Sequence, residues 1–227
     1  GGCGTLSPTG GGAPPPPTPA NGQPFSSVPL VTLTGTANNA PFNVSSLNGT
    51  AWFTTTGGGG YSLAYGATNL ANQWFTDFVN NGLIPKLGGN AFLIGLVNGN
   101  RASIFDSFVD QGGFTELSDP NISHLYEDAG QFNIGLAGFL DQSPRLRVLL
   151  PDFAAFIPNN IQFSEVVLVN GVPKYSFSAV PSGVALDDQF GSFNGTYVVT
   201  APALQIPEPG TAAMALLAGL GLLRRRR

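Results

Sequence analysis

The chain has 227 residues, including 13 acidic and nine basic side chains but only one Cys and one His. Charged residues make up 10% of the sequence, against about 25% in ordinary soluble domains, while Gly and Pro number 31 and 19. One Cys excludes an internal disulfide and a Cys-ligated zinc site, and one His excludes a multi-histidine metal centre. The composition therefore argues against a typical cytosolic enzyme.

Residues 1–24 form a Gly- and Pro-rich segment in which Leu6 is the only large aliphatic side chain. Such a segment cannot bury enough apolar surface to offset its chain entropy, so we predict a disordered spacer. No apolar signal core precedes it, and we expect an export signal either to have been removed or to lie upstream. Cys3 is either a lipid-attachment residue tethered by this spacer or a plain thiol.

From residue 25 the spacing of apolar residues changes. An early strand is predicted at 28–33, and a second short strand at 51–53. The stretch 68–81 has helical spacing instead, and Asn81-Gly82 supplies a left-handed stop. The residues on its apolar face are Leu70, Trp74, Phe75 and Phe78.

A second helix is predicted at 101–110, with Asn100 as its cap and Gly112 after its end. Its inner face combines Ile104, Phe105, Phe108 and Val109. Beyond Gly130 the strand pattern returns at 132–140 and again at 145–150.

The stretch 161–180 is predicted to be a β-hairpin. Asn170-Gly171 tolerates positive φ at both central positions of a type I′ turn. Pro173 lacks an amide donor, which favours an edge position for the return strand. A last strand is predicted at 196–200.

These elements predict an α+β fold: one domain over 25–202, mainly an antiparallel β-sheet assembled from distant parts of the chain, with two short helices. The remaining residues, 203–227, form a separate C-terminal segment.

That C-terminal segment has three parts in order. Pro207-Glu208-Pro209 is followed by 13 uncharged residues at 211–223 and then by four arginines, namely Arg224, Arg225, Arg226 and Arg227. As a helix the apolar part would extend about 20 Å, short of the roughly 30 Å hydrocarbon core of a bilayer. Basic residues favour the cytoplasmic side. We therefore predict an apolar helix that anchors an exported body transiently in the inner membrane.

The motif, apolar helix and basic tail closely resemble the PEP-CTERM sorting signal of Gram-negative bacteria. The resemblance implies that an exosortase-type membrane enzyme recognises Pro207, Glu208 and Pro209 and removes the tail, and that the protein then resides at the cell surface or in the extracellular matrix. The alternative is an ordinary tail anchor.

Pieces of the body resemble a family of PEP-CTERM proteins of unassigned function. They are Trp74-Phe75, the stretches 108–113 and 112–123, Ser164-Glu165-Val166-Val167, and the run 175–179. This resemblance supports the limits of the domain and implies no catalytic role.

Residues 1–206, which exclude Glu208 and the four terminal arginines, contain 12 acidic and five basic side chains, a net charge of about −7. Such a surface repels nucleic-acid phosphates, so we expect no nucleic-acid partner. Asp119, Asn121 and Ser123 have the spacing that opens an EF-hand calcium loop. The same residues also fit a simple turn, and we expect neither a metal nor another cofactor.

An enzyme is not expected. His124 is the only imidazole, and although Asp119, Glu127 and Asp128 are near in sequence and Ser107 or Ser123 could serve as nucleophile, no nucleophile elbow accompanies them. A carboxylate pair such as Glu116 with Glu127 is a further alternative.

Planar aromatic rings can stack on sugars, and Trp52, Tyr61, Tyr65 and Tyr126 lie nearest to predicted loops. Most Phe residues are expected in the core. The sequence thus predicts a structural envelope or matrix protein associated with exopolysaccharide. A glycan- or calcium-binding module is the alternative, and a secreted hydrolase comes third.

Overall fold

The computed structural model describes residues 32–37, 40–47, 49–56, 60–118, 120–182, 187–188 and 191–203. Over these ranges the fold is α+β, with two four-stranded antiparallel sheets and a group of helices. The predicted spacer, the sorting motif, the apolar segment, the terminal arginines and Asp119 lie outside the described residues.

The strands form two sheets where the sequence predicted one. The first sheet has the order β1-β2-β5-β6, built from Thr32–Ala37, Ala40–Ser45, Val167–Val169 and Val172–Lys174. The second has the order β3-β4-β10-β7, built from Ile122–Asp128, Gln131–Gly138, Gly195–Pro202 and Ala179–Pro181. A small two-stranded pair joins β8, Asp187–Asp188, to β9, Gly191–Ser192.

The helices follow one another in chain order. They are α1 Gly49–Phe53, α2 Leu70–Asp77, α3 Ala91–Gly99, α4 Arg101–Asp110, α5 Gly113–Glu116 and α6 Ser143–Leu149. A π-helical turn, Phe78–Leu83, continues α2, and 3-10 turns cover Ile84–Leu87 and Pro151–Phe156. Within the described ranges no helix combines the length and the apolar character needed to cross a bilayer.

Aromatic rings fill the larger core, which lies among the helices. The indole of Trp74 stacks on Phe78 at 5.2 Å and on Phe108 at 5.5 Å between ring centroids. Phe114 meets Trp52 at 4.8 Å. All five side chains are buried, and seven of the 17 Phe residues of the chain lie buried in this core.

A smaller core joins the two sheets. Val44 and Val169 of the first sheet belong to the same buried cluster as Ile134 and Leu136 of the second. Tyr197 lies in it too, with its hydroxyl donating to the Phe139 carbonyl at 2.6 Å, and burial raises the pKa of this phenol. The sheets therefore pack through their apolar faces.

Several predicted elements are confirmed. Helix α4 has the predicted bounds and buries the four predicted residues. In the hairpin, Asn170 and Gly171 have φ of 50° and 79°, as a type I′ turn requires, and β6 with Pro173 is an edge strand. Strand β10 covers the run predicted at 196–200, and β4 covers the run predicted at 132–140 except for its last two residues.

Two predicted strands are wrong, because both segments are helical. Trp52 and Phe53 in α1 are both fully buried in the helical core. A strand would point adjacent side chains to opposite faces, whereas a helix separates them by about 100° and directs both inward. Helix α6, where a strand was predicted at 145–150, buries Leu146 and Leu149, which are spaced for one helical face.

The predicted stop at Asn81-Gly82 is also wrong, since the chain continues through it as the π-helical turn. Gly82 serves close packing here: a Cβ would lie 3.0 Å from the Phe78 ring and 3.3 Å from that of Phe177. The left-handed glycines come later, at Gly88 and Gly89, with φ of 60° and 75°. Helix α3, which begins just after them, was not predicted.

Candidate functional site

An open cleft of about 840 Å³ lies between the loop before α2, helix α2 itself and the β5–β6 hairpin. Most of its accessible wall is apolar, and hydroxyl and amide groups, one carboxylate and one aromatic ring are set into it. The polar and aromatic lining residues are Thr54, Thr56, Tyr65, Thr68, Asn69, Asn72, Gln73, Thr76 and Asp77. A mostly apolar wall with a few polar groups is the usual lining of a small-ligand site.

Two buried asparagines fix the loop that forms one wall of the cleft. Asn69 caps α2 by accepting from the Asn72 amide at 3.0 Å, and its Nδ2 donates to the Ser62 carbonyl at 2.9 Å. Asn72 donates to the Ala64 carbonyl at 3.1 Å and accepts from the Gly66 amide at 2.5 Å. These bonds satisfy buried polar groups and hold the loop in one shape.

A hydrogen bond links the C-terminal end of α2 to the residue that follows the β5–β6 hairpin. Asp77 accepts a hydrogen bond of 2.7 Å from the Tyr175 hydroxyl. Burial, together with the hydrogen bond to Asp77 and its negative charge, raises the pKa of Tyr175. The phenol therefore stays protonated, and the carboxylate of Asp77 keeps a fixed donor.

The structure does not bring the four predicted glycan contacts together. Tyr65 lines the cleft and is 37% exposed. Tyr61 packs against Phe53 at 5.7 Å and is not part of the cleft wall. Tyr126 is 51% exposed, but it lies on β3, where it stacks on His124 at 5.8 Å.

For Trp52 the prediction is wrong. Its side chain is 0% exposed, and its Nε1 donates to Ser118 Oγ at 2.7 Å. The ring thus belongs to the core, where no sugar can reach it.

Of the residues predicted to open a calcium loop, Ser123 lies in a strand and Asn121 just before it, while Asp119 lies outside the described residues. Ser123 belongs to β3 and donates to the Gly135 carbonyl at 3.1 Å. The Asn121 amide donates to Glu165 at 2.8 Å. Within the described ranges no group of three or more His, Cys, Asp and Glu side chains is placed to hold a metal ion.

The catalytic candidates are engaged in local hydrogen bonds. Ser123 Oγ lies 3.1 Å from His124 Nδ1, but the two are neighbours on one strand. Glu127 accepts from the Gly130 amide at 2.6 Å, at the β3–β4 turn. Ser107 donates to the Leu149 carbonyl at 3.4 Å, and Glu116 forms an ion pair of 2.6 Å with the buried Arg145.

The sequence did not predict the polar wall of the cleft, although one signal was present. Asn69 directly before an apolar-periodic run is a helix-cap pattern, and this cap also organises the loop. Gln73 and Asp77 share one face of the predicted helix through their i, i+4 spacing, whereas only the folded chain brings Thr56 to the same surface.

The described fold and cleft define a small α+β protein with an open groove lined by apolar and polar residues. No family model matches this chain, and neither a curated protein nor a solved structure gives a match. The function is therefore inferred from the residues of the chain itself.

Proposed function

We propose that this protein is an exported component of the bacterial envelope or extracellular matrix, sorted by its C-terminal segment. In this proposal the apolar helix at 211–223 holds the chain transiently in the inner membrane, with the arginines inside. An exosortase-type enzyme then cleaves near Pro207-Glu208-Pro209, and a single body with a disordered spacer is left at the surface, in association with exopolysaccharide.

One observation carries the proposal: the motif, the apolar stretch and the basic cluster follow one another directly in the sequence. Thirteen uncharged residues reach only about 20 Å as a helix, too short for a stable span but long enough to present the motif to a membrane enzyme. The four arginines oppose translocation of the end of the chain.

We propose a structural role rather than an enzymatic one. The hydrogen bonds of Ser107, Ser123 and Glu127 support it, because all three side chains bond to backbone groups of the fold.

Mass spectrometry of the protein isolated from its native host tests the sorting proposal. The mature chain should lack 211–227. Glu208→Ala should leave the full-length form in the membrane fraction, and so should replacement of all four arginines by Ser. Asp128→Ala, which removes an exposed carboxylate on β3, is the matched control and should be processed normally. A mature chain that keeps its arginines in a host with an exosortase would establish an ordinary tail anchor instead.

The cleft favours a second role, that of binding a neutral glycan. Tyr65 offers a partly exposed ring at its wall, and the fixed loop beside it reduces the ordering cost of binding. Polysaccharide purified from the native host serves as the probe in affinity electrophoresis. Tyr65→Ala should weaken retention about tenfold, a change of about 1.4 kcal/mol, whereas the matched variant Tyr61→Ala should bind like the wild type. Equal binding by both variants would remove the cleft as the glycan site.

A further inference from the structure

Helix α3 is apolar around most of its circumference and yet remains largely uncovered. Its sequence is AFLIGLVNG, and Val97 is its only buried residue. Phe92 is 71% exposed. A helix that is hydrophobic on all sides normally lies inside a protein or against lipid, so the outer face of α3 lacks a partner among the described residues.

The exposed side continues onto a neighbouring element. Leu93 and Ile94 pack on the helical core, which leaves Phe92 and Leu96, one turn apart, on the other side. Leu96 lines a shallow crevice together with Phe156, which is 45% exposed. We call Phe92, Leu96 and Phe156 the apolar patch.

Basic residues lie in the elements that adjoin α3 and Phe156, in a chain that is otherwise acidic. Lys86 precedes α3 and Arg101 follows it, and no Asp or Glu occurs between residues 78 and 105. Arg147 donates to the carbonyl of Ile157, the residue next to Phe156, at 3.0 Å. This contrasts with the net charge of about −7 over residues 1–206.

The charges of these arginines are not compensated by carboxylates in the described part of the chain. Arg101 bonds to the amide oxygens of Asn80 at 2.7 Å and Asn98 at 2.8 Å. Arg147 bonds to the amide oxygen of Asn159 at 2.7 Å. Neither guanidinium group is therefore neutralised by a carboxylate within the described ranges.

The nearest acidic residues face elsewhere. In the 3-10 turn Pro151–Phe156, Phe153 and Phe156 share a face, because residues three apart eclipse, and Asp152 does not lie on that face. Asp106 is an exposed residue of α4, whereas its neighbours Ile104 and Phe105 are buried.

An anionic lipid surface fits this combination better than a protein partner. A symmetric pair of chains would place the basic residues of one copy beside those of the other. The apolar segment at 211–223 would bring four more arginines to the same place. Phospholipid headgroups supply negative charge, and their acyl chains supply an apolar medium.

We propose that α3 is a membrane-contacting helix. The side chains of Phe92, Leu96 and Phe156 enter the boundary between headgroups and acyl chains, while Lys86, Arg101 and Arg147 pair with lipid phosphates. A patch of this size gives reversible attachment and places the body against the bilayer surface. This contact does not depend on the C-terminal segment or on its removal.

Tryptophan fluorescence of the full chain tests the proposal. Trp52 and Trp74 are fully buried and give a constant background. In Phe92→Trp, vesicles of phosphatidylglycerol and phosphatidylethanolamine should shift the emission to the blue, and brominated acyl chains should quench it. Val198→Trp, on the exposed side of β10, is the matched control and should show neither effect, even where the C-terminal segment tethers the chain.

The role of charge is tested in the Phe92→Trp background. Lys86→Gln and Arg101→Gln should each weaken binding to the anionic vesicles about fivefold, and vesicles of phosphatidylcholine alone should give a much smaller blue shift.

Three outcomes would overturn the proposal. If vesicles leave the emission wavelength of the Phe92→Trp variant unchanged, lipid does not contact the patch. A blue shift that grows with protein concentration without vesicles would identify a second copy of the chain as the partner. A blue shift without vesicles at every concentration, abolished by deletion of 211–227, would identify the C-terminal segment. None of these results bears on cleavage at the sorting motif, which mass spectrometry measures separately.

Discussion

Helices α3 and α4 are separated only by Asn100, but α4 buries its apolar side chains and α3 leaves most of its own accessible to solvent. In α4 the apolar residues recur on one face, and Ile104, Phe105, Phe108 and Val109 are all buried. In α3 the residues on the core side, Leu93, Ile94 and Val97, have the same spacing, but only Val97 is buried. The comparison shows that equal spacing buries a whole face in one helix and leaves it partly exposed in the next, so the position of the helix in the fold decides what it buries.

The two helices also differ in what holds their first turns. The Asn90 side chain caps α3 by accepting from the Leu93 amide at 3.1 Å. Asn100 precedes α4 but makes no side-chain cap bond to it, and its Nδ2 donates instead to the Leu96 carbonyl of α3 at 2.7 Å. Local interactions thus define α3, and tertiary packing holds α4.

The largest effect should come from emptying the buried face of α4. Phe105→Ala should lower the free energy of unfolding by about 3–5 kcal/mol, since the ring is fully buried in the aromatic core. Phe92→Ala on α3 is the matched change and should stay within about 0.5 kcal/mol of the wild type. Urea denaturation measures both. Similar losses for the two variants would mean that α3 is packed as tightly as α4.

A smaller loss is expected from Gly113→Ala, at the first residue of α5. A Cβ at this position would lie 2.5 Å from the ring of Phe108 on α4, so the ring or the backbone must move. The free energy of unfolding should fall by about 1–3 kcal/mol in the same urea experiment. Unchanged stability would show that the packing of α4 against α5 is loose.

The cap of α3 gives a local test. Asn90→Ala should lower stability by about 1 kcal/mol and speed hydrogen exchange of the α3 amides, because it removes the bond to the Leu93 amide. Asn90→Asp should restore slow exchange, since its carboxylate can accept the same bond. Faster exchange in α4 as well would indicate that the two helices unfold together.

The smallest expected change is a gain. Gly95 lies inside α3, and a Cβ there would meet no atom within 4 Å. Gly95→Ala should therefore raise the free energy of unfolding by about 0.5–1 kcal/mol through higher helix propensity. A loss measured by urea denaturation would reveal a neighbour that covers this side of α3.

The sequence predicted elements whose cause is local. The Asn170-Gly171 turn followed from the positive φ angles that a type I′ hairpin requires, and α4 followed from a clear helical period. Short apolar runs were ambiguous: α1 and α6 contain too few residues to separate a helical period from an alternating one, so both were predicted as strands.

The candidate site was predictable only in part. Tyr65 was expected to contact a ligand and does line the cleft, whereas Trp52, expected beside it, is a core residue. The carboxylate and amides of the wall belong to α2, and Gly171 and Pro173 of the hairpin complete it from far along the chain. No local sequence pattern predicts that α2 and the hairpin line the same cleft.

The sequence alone determined the features that depend on neighbouring residues: the hairpin turn, α4, the acidic body and the three-part C-terminal segment on which the sorting proposal depends. The tertiary structure decided the pairing of strands into two sheets, the burial of Trp52 and the exposure of Phe92. The physical reason is that burial depends on tertiary contacts between segments that are distant in sequence. Two side chains of equal hydrophobicity can therefore lie one in the core and one at the surface.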